Sequence, residues 1–374
     1  MPDPNAVVST VIRFEPPLDR PPAELLGADL ELAVVLEGDR RVRLDPADSR
    51  SAGFAQVLEG LSKQGLPVYI EVDPDTSSIK RMLIPHVARV VAIRPDDEGL
   101  DVELAPSHGR HVLRSDSPEF EELEKQLREA LRSEAPVIAT ETDDHEIIDV
   151  RAFTPGPEGP PFPFPKPELP PPKSWIVQVL LSLWRWRWWP WWWLHWFHCL
   201  TTARAQQVFD AMNATSCDPL TVPAPCIPFK YPDDGCWGRA HEMCRLMINM
   251  GLSPKKVWIE GRLRASTRNN PNCYVGWGWH VAPTLCVRGR WFFQSQEMVI
   301  DPSLFTTPVR KTTWKGVQGD PGATLTDSAA AIFYLWGSVT DPGYVQTNQV
   351  LATYRLRLQN RAIQQGPPPY AHCP

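Results

Sequence analysis

The stretch YPDDGCWGRAHEMCRLMINMG, residues 231–251, decides how the second half of this chain is organised. Its pattern predicts a helix that begins at Cys236, directly after a tight Asp-Gly turn, and ends at Asn249, before Gly251. Backbone N–H groups at a helix start have no acceptor within the helix and carry a partial positive charge. We therefore predict that Cys236 is a nucleophile of lowered pKa, and that the same N–H groups hold an oxyanion.

A cysteine nucleophile needs a base, and the base needs a group that orients it. His280 lies in a predicted strand (278–287) among aromatic residues that would exclude water, and Asp301 ends the next predicted strand (291–301). A short hairpin between these strands would bring the two side chains together. The order of a cysteine at a helix start, a histidine on one strand and an aspartate on the next is that of papain and transglutaminase folds. Their chemistry is acyl transfer through a thioester.

Four separated blocks along residues 226–316 carry a more specific signal. They are IPFKYPDDGCWGRAHEM (227–243), GRLRAST (261–267), GWHVAP (278–283) and VIDPSLF (299–305), and Trp314 follows them. In this order the blocks resemble bacterial protein-glutaminase, the enzyme that deamidates glutamine side chains within proteins. The resemblance implies a transglutaminase-like fold with a triad of Cys236, His280 and Asp301.

The resemblance also implies a mechanism. Cys236 attacks the carboxamide carbon, His280 protonates the departing ammonia, and the same histidine then activates the water that hydrolyses the thioester to glutamate. Asp301 holds the imidazole in one tautomer and stabilises its charged form. No metal or organic cofactor is required, and the expected partners are proteins or peptides with exposed glutamine.

Two alternatives remain open from the sequence. The first is a transglutaminase or a cysteine peptidase that uses the same three residues on a different acceptor or substrate. The second is a non-enzymatic protein that binds membranes or partners through a tryptophan-rich segment.

We predict an α+β protein in four parts. Residues 1–153 form a small α+β domain, whose amphipathic helix at 116–132 is capped by Ser117 with Pro118 in its first turn. The other three parts are a linker at 154–173 with ten prolines in twenty positions, a tryptophan-rich segment at 174–200, and a catalytic domain at 201–374. The N-terminal domain would either cover the cleft as a pro-segment does or recruit substrate.

The segment 174–200 contains nine of the sixteen tryptophans. Tryptophan favours the membrane–water interface, so an interfacial anchor is one interpretation. A helix and turn covering the C-terminal domain is another. A true membrane span is the third, although Arg185, Arg187 and Pro190 interrupt its second half.

Charge and cysteine content set further limits. The net charge is −6, which argues against a general nucleic-acid binder. All eight cysteines lie beyond residue 198, none in a CxxC pair, so a metal site is disfavoured and 105 disulfide pairings remain open. The N-terminus has no basic region followed by an apolar run, so no Sec signal peptide is expected. We expect a location in the cytoplasm or after non-Sec export, with membrane association left open.

Several other residues are assigned ordinary roles. The histidines of the N-terminal domain look scattered and are predicted to lie on the surface or to pack; they are His86, His108, His111 and His145. On the nucleophile's helix, His241 is predicted to be buried and hydrogen-bonded, and Cys244 to pack or pair. Asp233 and Asp234 are assigned to the turn. The tryptophans at 237, 277 and 279 would either line the cleft or fill the core.

Overall fold

The structure, a computed structural model, describes residues 6–27, 32–153, 199–289 and 294–374. The predicted linker at 154–173 lies outside these residues, as does the predicted tryptophan-rich segment at 174–200 apart from its last two positions. Both therefore stay predictions. Within the described ranges, no helix is both long and apolar enough to cross a membrane.

The described helices and strands are as follows. The helices are α1 (Pro22–Gly27), α2 (Ser51–Gln64), α3 (Phe120–Ser133), α4 (Thr202–Asn213), α5 (Cys236–Asn249), α6 (Lys311–Gly316) and α7 (Val345–Gln365). The strands before residue 154 are β1 (Val7–Glu15), β2 (Leu32–Leu36), β3 (Arg41–Leu44), β4 (Pro67–Val72), β5 (Ile79–Leu83), β6 (His86–Asp96), β7 (Gly99–Ala105), β8 (His111–Arg114), β9 (Pro136–Glu141) and β10 (Ile147–Ala152). The strands after residue 198 are β11 (Lys255–Ser266), β12 (Tyr274–Arg288), β13 (Ser295–Val299), β14 (Val309–Arg310), β15 (Thr324–Ala329), β16 (Ile332–Tyr334) and β17 (Val339–Thr340).

The N-terminal region, residues 6–153, contains two five-stranded antiparallel sheets with separate hydrophobic cores. The first has the order β3-β2-β1-β4-β5 and is covered by α2, and the second has the order β10-β9-β6-β7-β8 and is covered by α3. Both helices bury one apolar stripe on their sheet, as amphipathic helices do. The predicted α+β class is confirmed.

The C-terminal region, residues 199–374, is built on a third antiparallel sheet of order β14-β13-β12-β11-β15. Helix α5 packs against β12 at the centre of this sheet. Trp237 on the helix and Trp279 on the strand share one buried aromatic cluster with Trp258 of β11. The predicted arrangement of a nucleophile helix on an antiparallel sheet is therefore present.

The long C-terminal helix α7 joins the two regions. Leu356 on one side of α7 lies in the hydrophobic core of the first N-terminal sheet, whereas Val350 and Leu358 pack in the cluster around Trp237. No helix is predicted here from the sequence, because polar residues such as Gln359 and Asn360 fall at positions that are in fact buried. A helix buried on several sides does not show the alternation expected of a surface helix.

Two predicted details of the helix at 116–132 are wrong. It begins at Phe120, and Ser117 does not cap it. Instead, the backbone N–H of Phe120 donates to the carbonyl of Ser117 and closes a turn ahead of the helix. Proline suits the second position of such a turn as well as the first turn of a helix, so Pro118 did not distinguish them.

Three disulfides select one arrangement among the many that the sequence allowed. They join Cys199 to Cys286, Cys217 to Cys226, and Cys273 to Cys373. Cys236 and Cys244 are both free and buried. The predicted nucleophile is therefore a free thiol.

Candidate active site

The turn before Cys236 requires a glycine for two reasons. Gly235 has φ +79°, in the left-handed region that other residues adopt only with strain. A Cβ atom at this position would lie 2.3 Å from the ring of Tyr354 on α7. The Asp-Gly-Cys sequence thus reverses the chain, admits the tyrosine ring and starts α5 at the thiol.

His280 and Asp301 are brought together by the pairing of β12 with β13, as expected from the sequence. Nε2 of His280 lies 2.9 Å from Oδ2 of Asp301, and the indole N–H of Trp314 donates to the same oxygen at 2.9 Å. The ring of Trp277 stacks on the imidazole at 4.4 Å between centroids. The stacking on Trp277 and the hydrogen bond to Asp301 therefore fix the orientation of the imidazole.

Asp301 remains a carboxylate in this buried position. Burial alone would raise its pKa, but the neighbouring His280 and the hydrogen bonds from His280 and Trp314 lower the pKa below its usual value. An ionised Asp301 requires the hydrogen of His280 to sit on Nε2 and leaves Nδ1 to face the thiol.

The three predicted residues meet in one buried site. The Sγ atom of Cys236 and a ring nitrogen of His280 lie within 4.8 Å of each other. The next groups on the helix are Trp237 and Arg239, and the Arg239 guanidinium donates to the carbonyl of Tyr231 at 2.9 Å. The site thus has a thiol beside an imidazole, and a carboxylate that hydrogen-bonds to the far side of that imidazole.

The predicted lowering of the Cys236 pKa is wrong for this arrangement. Burial raises the pKa of the thiol well above its usual value, and the positive charge of Arg239 offsets only part of that effect. Removing water disfavours the thiolate more strongly than the helix N-terminus favours it. The thiol is therefore neutral while the site is covered.

The cover comes from the N-terminal region. The loop between β7 and β8 lies along β12, where the carbonyl of His108 accepts from the N–H of Gly278 at 2.9 Å and the N–H of Arg110 donates to the carbonyl of Gly276 at 3.1 Å. Within the described residues, β12 pairs with β13 only through its C-terminal part, from Thr284 to Arg288. The loop therefore fills the edge of β12 that β13 leaves unpaired.

The side chain of His108 reaches the thiol, contrary to the predicted surface or packing role. Its ring is 1% exposed and stacks on His280 with centroids 5.7 Å apart. Nδ1 of His108 lies 2.9 Å from the carbonyl oxygen of Trp279, and its backbone N–H donates to Asp234 at 3.1 Å. The only sequence signal was a short SHGRH motif (107–111) between two strands.

The remaining N-terminal histidines are clustered rather than scattered. His86 and His145 lie 2.7 Å and 3.0 Å from the carboxylate of Glu141, and His111 contacts the same carboxylate at 2.5 Å. All of these side chains are buried. The hydroxyl of Ser107, one residue before His108, contacts Nε2 of His111 at 2.9 Å, so this cluster supports the covering loop.

Asp234 and His241 have the ordinary roles assigned to them, whereas Asp233 does not act in the turn: its carboxylate pairs with the guanidinium of Arg361 at 2.7 Å. Asp234 anchors the turn by accepting from the Gly235 N–H at 2.8 Å and from the Tyr354 hydroxyl at 2.6 Å. His241 is buried and lies 2.9 Å from the amine of Lys256. Burial and that lysine lower the pKa of His241 to about 4, so it is neutral at neutral pH.

The chain is similar to several known proteins. A family model described as glutaminase matches residues 205–318. The crystal structure of a protein-glutaminase is 31% identical, and the alignment covers 42% of this chain and 89% of that one, with a TM-score of 0.38. The chain belongs to the protein-glutaminase family. It is a hydrolase acting on amide side chains, and its general activity is deamidation.

Two further solved structures are similar to this chain. The NMR structure of protein-glutaminase from Chryseobacterium proteolyticum is 31% identical and covers 40% of this chain and 84% of that one, with a TM-score of 0.36. A crystal structure of pro-protein-glutaminase is 24% identical and covers 73% and 93%, with a TM-score of 0.49. No curated protein matches the chain by sequence.

Proposed function

We propose that this chain deamidates glutamine side chains within proteins through a thioester on Cys236. The observation that carries the proposal is the buried thiol beside an imidazole whose far nitrogen contacts a carboxylate at 2.9 Å. Nucleophilic acyl transfer needs these three groups in this order.

The mechanism follows from where the protons lie. Nδ1 of His280 takes the proton of Cys236, and the sulfur attacks the carboxamide carbon. The N–H groups that begin α5 face the developing oxyanion. His280 then protonates the leaving ammonia and removes a proton from the water that hydrolyses the thioester, while Asp301 stabilises the imidazolium.

The edge of β12 that β13 leaves free for the loop at 108–110 favours a polypeptide as the substrate. An extended chain that pairs with Gly276 and Gly278, as the loop at 108–110 does, would direct one side chain to the thiol. A glutamine in the place of His108 would bring its carboxamide to Cys236. A cleft of about 360 Å³, lined partly by Trp279 and Trp336, adjoins this edge and leaves room for neighbouring residues.

The same contacts support autoinhibition by the N-terminal region. The imidazole of His108 occupies the volume that the substrate amide needs, and the loop occupies the edge that the substrate backbone needs. The neutral, buried Cys236 is consistent with a latent enzyme. In this proposal the active enzyme forms when the loop leaves.

Three disulfides favour an oxidising compartment, so among the expected locations we propose export over the cytoplasm. Membrane contact through residues 174–200 is proposed on tryptophan content alone. Flotation with lipid vesicles, comparing the full chain with a version lacking that segment, tests the contact.

The first test is ammonia release from a blocked glutaminyl dipeptide and from casein. Once the loop is opened, wild type and Cys244→Ala should release ammonia, and Cys236→Ala should not. Crosslinked casein, whose formation also releases ammonia, would instead indicate a transglutaminase, and cleaved casein without ammonia would indicate a peptidase. Absence of all three products from folded, loop-opened protein would contradict the proposal.

A second experiment tests whether the N-terminal region inhibits the enzyme. A specific protease site inserted between residues 154 and 198 allows the two regions to separate after cleavage. Cleavage should raise the rate on casein, and a His108→Gly substitution should raise it without cleavage. Equal rates before and after complete separation would contradict autoinhibition but not deamidation.

A further inference from the structure

Three side chains from both regions converge on one buried point. Ligand atoms of His108, Cys236 and His280 all lie within 4.8 Å of one another, and all three residues are buried. Nε2 of His108 and Nδ1 of His280 have no hydrogen-bond partner among the described residues. A buried polar atom without a partner is costly, so two that face one thiol require a physical explanation.

The proton positions make both nitrogens electron-pair donors. Nδ1 of His108 lies 2.9 Å from the carbonyl oxygen of Trp279, which can only accept, so the hydrogen is on Nδ1. Oδ2 of Asp301 accepts from the indole N–H of Trp314 and lies 2.9 Å from Nε2 of His280, so the hydrogen of this imidazole is on Nε2. Two lone pairs therefore face Cys236, whose single thiol hydrogen can satisfy only one of them.

We propose that His108, Cys236 and His280 form a zinc-binding site that fastens the N-terminal loop over the thiol. Imidazole nitrogens and a thiolate are ligands that Zn²⁺ prefers, and zinc sites with three protein ligands keep a fourth position for water. Metal-bound histidines usually donate their other ring N–H to a carbonyl or a carboxylate. Trp279 and Asp301 already provide these two acceptors.

Binding at this site is a ligand exchange without redox change. A Zn–S bond replaces the S–H bond of Cys236, the released proton passes to solvent, and the two imidazole lone pairs become ligands. Because His108 belongs to the N-terminal region, Zn²⁺ binds the closed form and stabilises it in proportion to the logarithm of its concentration. The proposal that zinc binds here is argued from the geometry of the three ligands. The expectation that zinc inhibits deamidation rests in addition on the proposed function.

Two other clusters in the described residues must be separated from this one. Cys273, His372 and Cys373 also lie close together, but both sulfurs are joined in a disulfide. In the cluster of His86, His111 and Glu141, each histidine is already hydrogen-bonded to the carboxylate of Glu141. Neither cluster offers a free thiol, so a probe that reports a metal–sulfur bond distinguishes the proposed site.

The experiment titrates the metal-free full chain with Co²⁺, whose charge-transfer absorption reports thiolate ligation, and then displaces Co²⁺ with Zn²⁺. Wild type and the thiol control Cys244→Ala should bind one metal ion with the thiolate band. Cys236→Ala should lose the band, and His108→Ala and His280→Ala should each bind at least about 100-fold more weakly. Circular dichroism checks that each variant is folded.

The outcomes separate this inference from the proposed function. No thiolate band in wild type, or an unchanged affinity in folded His108→Ala, overturns the zinc site even if the chain releases ammonia. A band that requires all three residues supports the site even if no form of the protein releases ammonia. Restoration of casein deamidation by a chelator in wild type, without effect in His108→Ala, supports both.

Discussion

The imidazole of His108 stacks on the imidazole of His280 across the boundary between the N-terminal and C-terminal regions, 5.7 Å between centroids. One ring comes from a loop of the second N-terminal sheet and the other from the central strand of the third sheet. A nitrogen of the first ring lies within 4.8 Å of Sγ of Cys236, and burial raises the pKa of that thiol.

Gly235→Ala should lower the free energy of unfolding far more than Gly251→Ala. Both glycines have φ near +78° (79° and 77°), so both variants carry about 1–2 kcal/mol of left-handed strain. Only at Gly235 would the new Cβ meet the ring of Tyr354, which adds about 1–3 kcal/mol of overpacking. Urea denaturation should show this difference, and only Gly235→Ala should lose ammonia release. Equal destabilisation of the two variants would contradict the packing argument.

Asp301→Asn should lower kcat by about 10³–10⁴-fold with little change in KM, because the amide cannot stabilise the imidazolium of His280 or select its tautomer. The control is Asp327→Asn, an exposed carboxylate paired with Lys311 at 2.6 Å. Kinetics on the blocked dipeptide, with the loop opened by cleavage, measure both. A loss of less than tenfold would remove Asp301 from the triad.

Loss of the Cys273–Cys373 disulfide should destabilise the protein more than loss of the Cys217–Cys226 disulfide. The first closes a chain separation of 100 residues and the second of 9. Loop entropy predicts that the difference between the two double alanine variants is about 2 kcal/mol. Chemical denaturation under oxidising conditions measures it, and the reverse order would show that strain or local contacts dominate.

Acidification should loosen the contact around His86. Burial and the charge of Arg357 lower its pKa to about 4, against about 6.5 in the unfolded chain. The folded state thus binds fewer protons, so this stabilisation is complete above pH 6.5 and is lost as the pH falls through 4. The groups facing His86 are Glu141, His111 and Asp234 in addition to Arg357.

The measurement compares wild type with His86→Gln, which keeps a donor for Glu141. Between pH 6.5 and 4, the free energy of unfolding of wild type should fall about 1.4 kcal/mol per pH unit more steeply than that of the variant. Parallel curves would show that His86 does not contribute. His145 acts in the opposite direction: its pKa is raised to about 9 by Glu141 against the effect of burial, so its contribution is lost in alkali.

Local sequence patterns were sufficient to predict the helix and the strands that position Cys236, His280 and Asp301. The helix start at Cys236 follows from its Asp-Gly turn, and the strands that carry His280 and precede Asp301 follow from apolar runs bounded by turn residues. The helix α7 was missed because its burial comes from two different neighbours. The long-range partner of the thiol, His108, was missed because a histidine in a short loop looks the same whether exposed or buried.

The amino-acid sequence alone predicts the α+β class, the position of Cys236 at a helix start and the hairpin that joins His280 to Asp301. These features depend on backbone preferences and contacts between neighbouring elements. Only the tertiary structure decided the disulfide pairing, the covering of β12 by the loop at 108–110 and the neutral state of the thiol. Each of these depends on which distant surfaces exclude water from one another, and that is settled by packing of the whole chain.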